Sequence, residues 1–518
     1  MEWSFERVPR TMSTQHPDNA RPPSWCSGEV IQGEDEVREA FYAYSALGCR
    51  EVMWDSEGKD VDTRVVRKLL AAHGDFFREH VLGEDLFLTY RLPNPRIEEA
   101  ERKVVAETLL NIAVGFDVAS TFYGREVAPI FEVILPFTTS HEEVVALHRY
   151  YEALTRHAEL GGEVAKWLGE FKPERVNVIP LIEDLPSLLS ADHIVKLYAE
   201  AMGLRGVRVF IARSDPALNY GLPSAVALAK LALYKLSRLR DEGVEAYPII
   251  GVGCLPFRGH LSPNNLANFL DEYGGVVTVT VQSALKYDYE EEVSRRAVAE
   301  LNHRLPAREA MEVEDEEALL RALDKLREAY QGVVEDLAPL INSLSMYVPP
   351  RRARRLHIGL FGYSRGVRGV RLPRAIPFTC ALYSLGLPPE FLGLRALREL
   401  EEDEWRALTS AYLNLDLDLS EAGRFVSWRN LEEVEEEAEG VARRAGMLED
   451  RLREALFKVE EDLKAAEEML GVKLGPRSPS ERRHENTVNS LLLSYLEGDE
   501  QYVRHFLVEA AYIRRSLG

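Results

Sequence analysis

The sequence predicts an α/β fold, a (β/α)8 TIM-type barrel with additional C-terminal α-helices. Three observations point there. Short apolar runs rich in Val, Ile or Phe recur along the first 365 residues, separated by segments of helical spacing. Charged or amide residues fall at the C-terminal ends of these runs, where barrel enzymes keep their active sites. Beyond about residue 385 no strand pattern recurs, and the chain reads as amphipathic helix.

In order, the runs are REVMWD (50–55), LFLTYR (86–91), PIFEVILP (129–136) and VNVIPLIE (176–183). VRVFIARSD (207–215), YPIIGVG (247–253), VVTVTVQ (276–282) and HIGLFGYSR (357–365) follow. Each has the composition of a strand covered on both faces. Segments 185–202 and 223–242 carry apolar residues at three- and four-residue spacing and read as crossover helices. Alternation of this kind makes residues 1–385 a barrel domain with an N-terminal arm. Asp55, Arg91, Glu183, Asp215, Gln282 and Arg365 lie at the ends of their runs, whereas Glu132 sits nearer the middle of its own. Residues 386–518 form a helical layer on the barrel or on a partner subunit, with 471–483 as its clearest loop. The acidic stretch LEEVEEEAEGVARR reads as a solvated helix face.

Composition narrows the function classes. A chain of 518 residues, 46% hydrophobic, can bury a large core. No uninterrupted apolar run spans a bilayer, and the first residues lack an apolar signal core, so a cytoplasmic protein without membrane partners is expected. Cys26, Cys49, Cys254 and Cys380 are scattered and suggest neither a zinc site nor a disulfide framework. A net charge of −22 argues against nucleic-acid binding. An anionic substrate would then need a local arginine cluster. With only five glutamines and abundant Glu and Arg, the composition hints at a thermophile or a salty cytoplasm.

Candidate chemistry gathers at the strand ends. Glu183 and Asp215 end neighbouring strands and could hold a hard divalent cation through oxygen, or could accept hydrogen bonds from an arginine. Arg91, Arg213, Arg258 and Arg365 sit at or just past strand ends, and their guanidinium forks match phosphate and carboxylate oxygens. Arg258 and His260 flank Gly259 in the loop PFRGHLSPNN. Near the N-terminus, RTMSTQHPDNA places His16 in a polar segment with the turn chemistry of Pro17, Asp18 and Asn19. A metal with several arginines implies a small, multiply charged anion.

These stretches, in this order, resemble the phosphoenolpyruvate carboxylases in their short archaeal-type form. TQHPDN is similar to the family's TAHPT-type segment. VIPLIEDL and ARSDPALNYG resemble its Glu strand and its YSDSxKDxG strand. PFRGH parallels FHGRGG, and YSR followed by LPRAIPFTCALYSLGLPPEFLG resembles GSRP and LRAIPW. The resemblance implies that His16 serves the carboxylation half-reaction and that Glu183 and Asp215 hold Mg²⁺ or Mn²⁺. It also implies that Arg91, Arg365 and Arg374 match family arginines. The N-terminal arm would then fold over the barrel mouth to deliver His16.

There are departures. The family lysine is replaced by Leu218, with Lys59 a candidate substitute, and the Arg and His of FHGRGG are exchanged in Arg258 and His260. The implied reaction is attack of bicarbonate on phosphoenolpyruvate, giving carboxyphosphate and a metal-stabilised pyruvate enolate, then capture of CO₂ as oxaloacetate. A homotetramer is also implied. Two alternatives stay open at this point: another metal-dependent barrel enzyme acting on the same enolate, such as a lyase or mutase, and a non-enzymatic scaffold on a decayed barrel.

Overall fold

The computed structural model describes residues 3–156, 162–355, 357–358 and 366–518. Eight parallel strands close into a barrel in sequence order. They are β1 (Thr11–Ser13), β2 (Glu51–Asp55), β3 (Phe87–Arg91), β4 (Glu132–Leu135), β5 (Asn177–Ile182), β6 (Gly206–Ala212), β7 (Glu245–Gly251) and β8 (Thr278–Val281).

Seven of the expected runs become strands, and the eighth expectation is corrected. Of the run 357–365, His357 and Ile358 form a turn and the rest lies outside the described residues, and the barrel closes without it. The missing strand is β1, inside the stretch read as a polar arm. It pairs with β2 through Met12 and Glu51, and with β8 through Thr11–Val279 and Ser13–Val281, so it closes the cylinder. His16 therefore reaches the mouth as part of the loop after a barrel strand, rather than on an arm folded over it.

Strand parity decides which side chains enter the barrel. Met12, Met53, Ile134, Ile179, Leu181, Phe210, Ala212 and Ile249 fill the interior as one apolar cluster. Val52, Trp54, Val209 and Ile211, on the opposite parity, pack outward against the helices. Two positions toward the C-terminal end from the inward Met53 lies Asp55, and two beyond Leu181 lies Glu183. The inward positions thus carry the site. Two positions the other way lie Glu51 and Glu132, at the bottom of the barrel. There the fully buried Arg208 pairs with both, at 2.7 Å and 3.0 Å, and Trp3 donates to Glu132. Glu132 is thus a structural carboxylate remote from the mouth.

The helix Val104–Tyr123 crosses over between β3 and β4. Its mean hydropathy of 1.3 is high enough, and its length great enough, to cross a membrane. Here Leu109, Ile112 and Ala119 belong to the barrel's outer core. The segment after residue 385 is helical throughout its regular structure, as expected, and shares one buried apolar cluster with the barrel helices. The expected loop 471–483 is shorter than read. A capping box between Ser478 and Glu481 starts the helix Pro479–Glu497 inside it.

Candidate active site

One cavity opens at the C-terminal end of the barrel. Its wall includes His16, Glu57, Lys59, Arg91, Glu183 and Asp215, together with Arg213, Arg258, Gln282, Arg354 and Arg374. Four of the six expected strand-end residues, Arg91, Glu183, Asp215 and Gln282, therefore converge on it.

Arg91 ends β3 and reaches back to the β2 loop. It pairs with Glu57 and lies 3.9 Å from Asp55. Lys59, in that same loop, is buried and paired with Asp55. Burial pulls the Lys59 ammonium down to about 8, opposed by Asp55 and reinforced by Arg354 and Arg91. For Asp55, burial works against ionisation, but Lys59 and Arg91 outweigh it and hold the carboxyl below the usual carboxylate range. Leu218 is turned into the apolar core, whereas Lys59 reaches the cavity from the loop after β2.

His16 contacts Thr14 Oγ1 through Nδ1 at 2.9 Å, and its Nε2 faces Arg91 Nη1 at 3.5 Å. Burial lowers its pKa well below the ordinary histidine value. Lys59, Arg91, Arg258 and Arg354 lower it further, so the imidazole is neutral at physiological pH.

Arg258 is tethered at four points. It donates to Gln282 Oε1 at 2.6 Å, to Ser214 Oγ at 3.2 Å and to the carbonyl of Gly518 at 2.7 Å. It also pairs with Asp18 at 3.3 Å. Its loop is fixed from two sides. Glu390 accepts from the Phe257 amide at 2.8 Å, and Arg213 donates to the carbonyls of Phe257 and Pro256 at 3.3 and 3.4 Å. Arg213 lines the cavity, but its guanidinium supports this loop and Tyr273 Oη.

Glu183 follows β5, and Asp215 sits in the first turn of the helix Ser214–Tyr220, just after β6. These strands are hydrogen-bonded neighbours. Glu183 accepts from the Phe137 amide at 2.8 Å. Two hard oxygen donors on one cavity fit a divalent cation that keeps positions for water and substrate. Among the described residues, no group of three or more His, Cys, Asp or Glu is placed to hold a metal by itself.

Two sequence expectations end elsewhere. His260 is held in a left-handed backbone conformation with φ 58°. Its Nδ1 lies 2.5 Å from Asp418 Oδ1, and it lines a second cavity, apart from His16. Arg365 lies outside the described residues. Two site residues escaped the sequence reading. Arg354 belongs to the run RRARR, whose density of arginine was a usable signal. Gly518 closes the ending RRSLG, whose likeness to the RNTG or QNTG ending of the phosphoenolpyruvate carboxylases was a usable signal, although only the tertiary fold brings it to Arg258.

The chain matches the family model described as phosphoenolpyruvate carboxylase over residues 8–518. It is 48% identical over 518 residues to a phosphoenolpyruvate carboxylase of Metallosphaera sedula, covering 99% of each chain. The identity is 45% over 521 residues with that of Caldivirga maquilingensis, and 44% over 520 residues with that of Picrophilus torridus, again with 99% of both chains covered.

Proposed function

The chain belongs to the phosphoenolpyruvate carboxylase family, and we propose from this premise how its barrel mouth performs the reaction. The enzyme is a carboxy-lyase that forms oxaloacetate and phosphate from phosphoenolpyruvate and bicarbonate. Full-length likeness to carboxylases favours this over another lyase or mutase using the same enolate, and over an inactive scaffold. The observation that carries the site assignment is the gathering of a neutral imidazole, several cations and three carboxylates around one cavity.

In the first half-reaction bicarbonate attacks the phosphorus, giving carboxyphosphate and the enolate of pyruvate. Arg91, Arg258, Arg354, Arg374 and Lys59 neutralise and align the phosphoryl and carboxylate oxygens. Arg365 would add to this set. In the second half Nε2 of His16 accepts the carboxyl proton of carboxyphosphate, CO₂ separates from phosphate, and the enolate captures it. Leu181, Phe210, Ile358 and Ile376 give the cavity apolar wall that keeps water from protonating the enolate. His260 has no part in these steps and orients its loop through Asp418. The family generally uses a divalent metal. Glu183 and Asp215 would hold it as Mg²⁺ or Mn²⁺, and when bound it supplies Lewis-acid stabilisation of the enolate oxygen.

The test is a coupled assay for oxaloacetate with and without bicarbonate. Product must require bicarbonate, and bicarbonate-independent turnover would sink the assignment. The enzyme is further read as a cytoplasmic homotetramer without nucleic-acid or membrane partners. This rests on its net charge of −22 and on exposed apolar side chains such as Phe457 in a tail helix and Leu448 just before it. A monomeric mass by light scattering would contradict the tetramer.

A further inference from the structure

A chain of buried residues stands behind His16 and takes no direct part in the reaction above. Lys286 lies in the helix Ser283–Tyr287, just after β8, and its side chain is fully buried. Its ammonium donates to the Thr14 carbonyl at 2.9 Å, to Ser13 Oγ at 3.2 Å and to Glu39 Oε1 at 2.9 Å. Three donors meet three acceptors, so the buried charge is satisfied. The other oxygen of Glu39 pairs with Arg352, which also reaches Glu36 at 3.2 Å. The backbone at Thr14 is therefore pinned to the wall of the barrel, two residues before the imidazole.

Pinning Thr14 fixes the ring through its side chain. Thr14 Oγ1 lies 2.9 Å from Nδ1 of His16. The opposite nitrogen, Nε2, faces a guanidinium, which can only donate. A hydrogen on Nε2 would point at that donor, whereas a lone pair there is favoured. The hydrogen of the neutral ring then belongs on Nδ1, where the hydroxyl oxygen accepts it. A hydroxyl also differs from the carboxylate that orients many catalytic histidines. It fixes the tautomer without adding a negative charge that would favour the imidazolium.

We propose that Thr14, anchored by Lys286, is a positioning residue that holds His16 as the Nδ1–H tautomer and turns the Nε2 lone pair into the cavity. The inference rests on the reading of His16 as the base of the second half-reaction. Once carboxyphosphate has formed, a misdirected ring cannot take its proton in step with CO₂ capture. The stranded enolate is then protonated to pyruvate.

The experiment uses the full-length enzyme and measures oxaloacetate and pyruvate separately, with KM for phosphoenolpyruvate. Thr14→Val keeps the branched shape and removes the acceptor, Thr14→Ser keeps the hydroxyl, and His16→Asn serves as the reference. In Thr14→Val oxaloacetate should fall about tenfold or more, the scale of one buried hydrogen bond lost. Pyruvate should rise and KM should move little. Thr14→Ser should recover most of the oxaloacetate. If Thr14→Val does not fold, Thr14→Ala carries the same expectation. A wild-type product ratio in Thr14→Val, or equal damage in Thr14→Ser, overturns the inference. If His16→Asn diverts product to pyruvate and Thr14→Val does not, the positioning role alone fails. If His16→Asn makes normal oxaloacetate, the reading of His16 fails and takes this inference with it.

Discussion

The carbonyl oxygen of Gly518 accepts a hydrogen bond from Arg258 at 2.7 Å, joining residues 260 positions apart. The segment before it is held equally firmly. Leu517 donates its amide to the Asp18 carbonyl at 2.7 Å, and Ser516 donates its hydroxyl to the same oxygen at 3.2 Å. A β-carbon on Gly518 would come within 2.3 Å of the Ile376 carbonyl and 3.0 Å of the Cys380 amide. Gly518→Ala is therefore expected to push residues 516–518 off Arg258 and lower kcat/KM by up to about 10²-fold, the cost of small misplacements at a reacting centre. Deleting residues 516–518 should have the same effect. Steady-state kinetics at unchanged melting temperature checks this.

Asp215→Asn and Glu183→Gln should each weaken divalent-cation binding by about 10- to 100-fold or more, because even outer-sphere losses reach that scale. The fold should survive, since both side chains line a cavity rather than fill the core. Titration calorimetry with Mg²⁺ and Mn²⁺, beside a thermal melt, separates the two effects. Wild-type affinity in both variants would remove these carboxylates from the metal site.

Lys59 gives the site a pH dependence. With its ammonium poised near about 8, the cation is present below that pH and lost above it. KM for phosphoenolpyruvate should therefore rise as pH increases through that region. Asp55 opposes the loss of the proton, while Arg354 and Arg91 promote it. In Lys59→Arg the charge persists, so the inflection should vanish from the KM profile. An unchanged inflection in that variant would assign it to another group.

At the other end of the barrel, Arg208→Met should leave Glu51 and Glu132 buried without their shared cation. Removing one partner of a buried ion pair costs about 3–5 kcal/mol. A large drop in the denaturation midpoint is expected, read by circular dichroism. Burial already raises the pKa of Glu132. A loss of only about 1 kcal/mol would mean that proton uptake relieves the buried charge.

Legibility followed local physics. β2 to β8 could be read because each is a short apolar run covered on both faces. Asp55, Arg91 and Glu183 could be picked out because each ends its apolar run. β1 could not be read this way. Its three residues, Thr11–Ser13, carry two hydroxyls, and β2 and β8 supply the ladders on its two sides. The apolar run 357–365 filled the expected count in its place. The contact of His260 with Asp418 could not be read, because that partner lies 158 residues away, in a tail helix. The approach of Lys286 to Thr14 spans 272 residues and leaves no trace in either local sequence.

The position of β1 has a consequence for the nascent chain. This strand is made before the other seven of the barrel, yet its β8 partner is not complete until residue 281 has been added. Until then its amide and carbonyl groups on that side form an open edge beside a ribosome. A longer strand of Val and Ile would make such an edge a template for aggregation. Three residues bearing two hydroxyls offer little for another chain to zip onto. The shortness that hides β1 from sequence reading thus suits a strand that must wait for the last member of its barrel, and the seam whose closure completes the cylinder also brings His16 to its post.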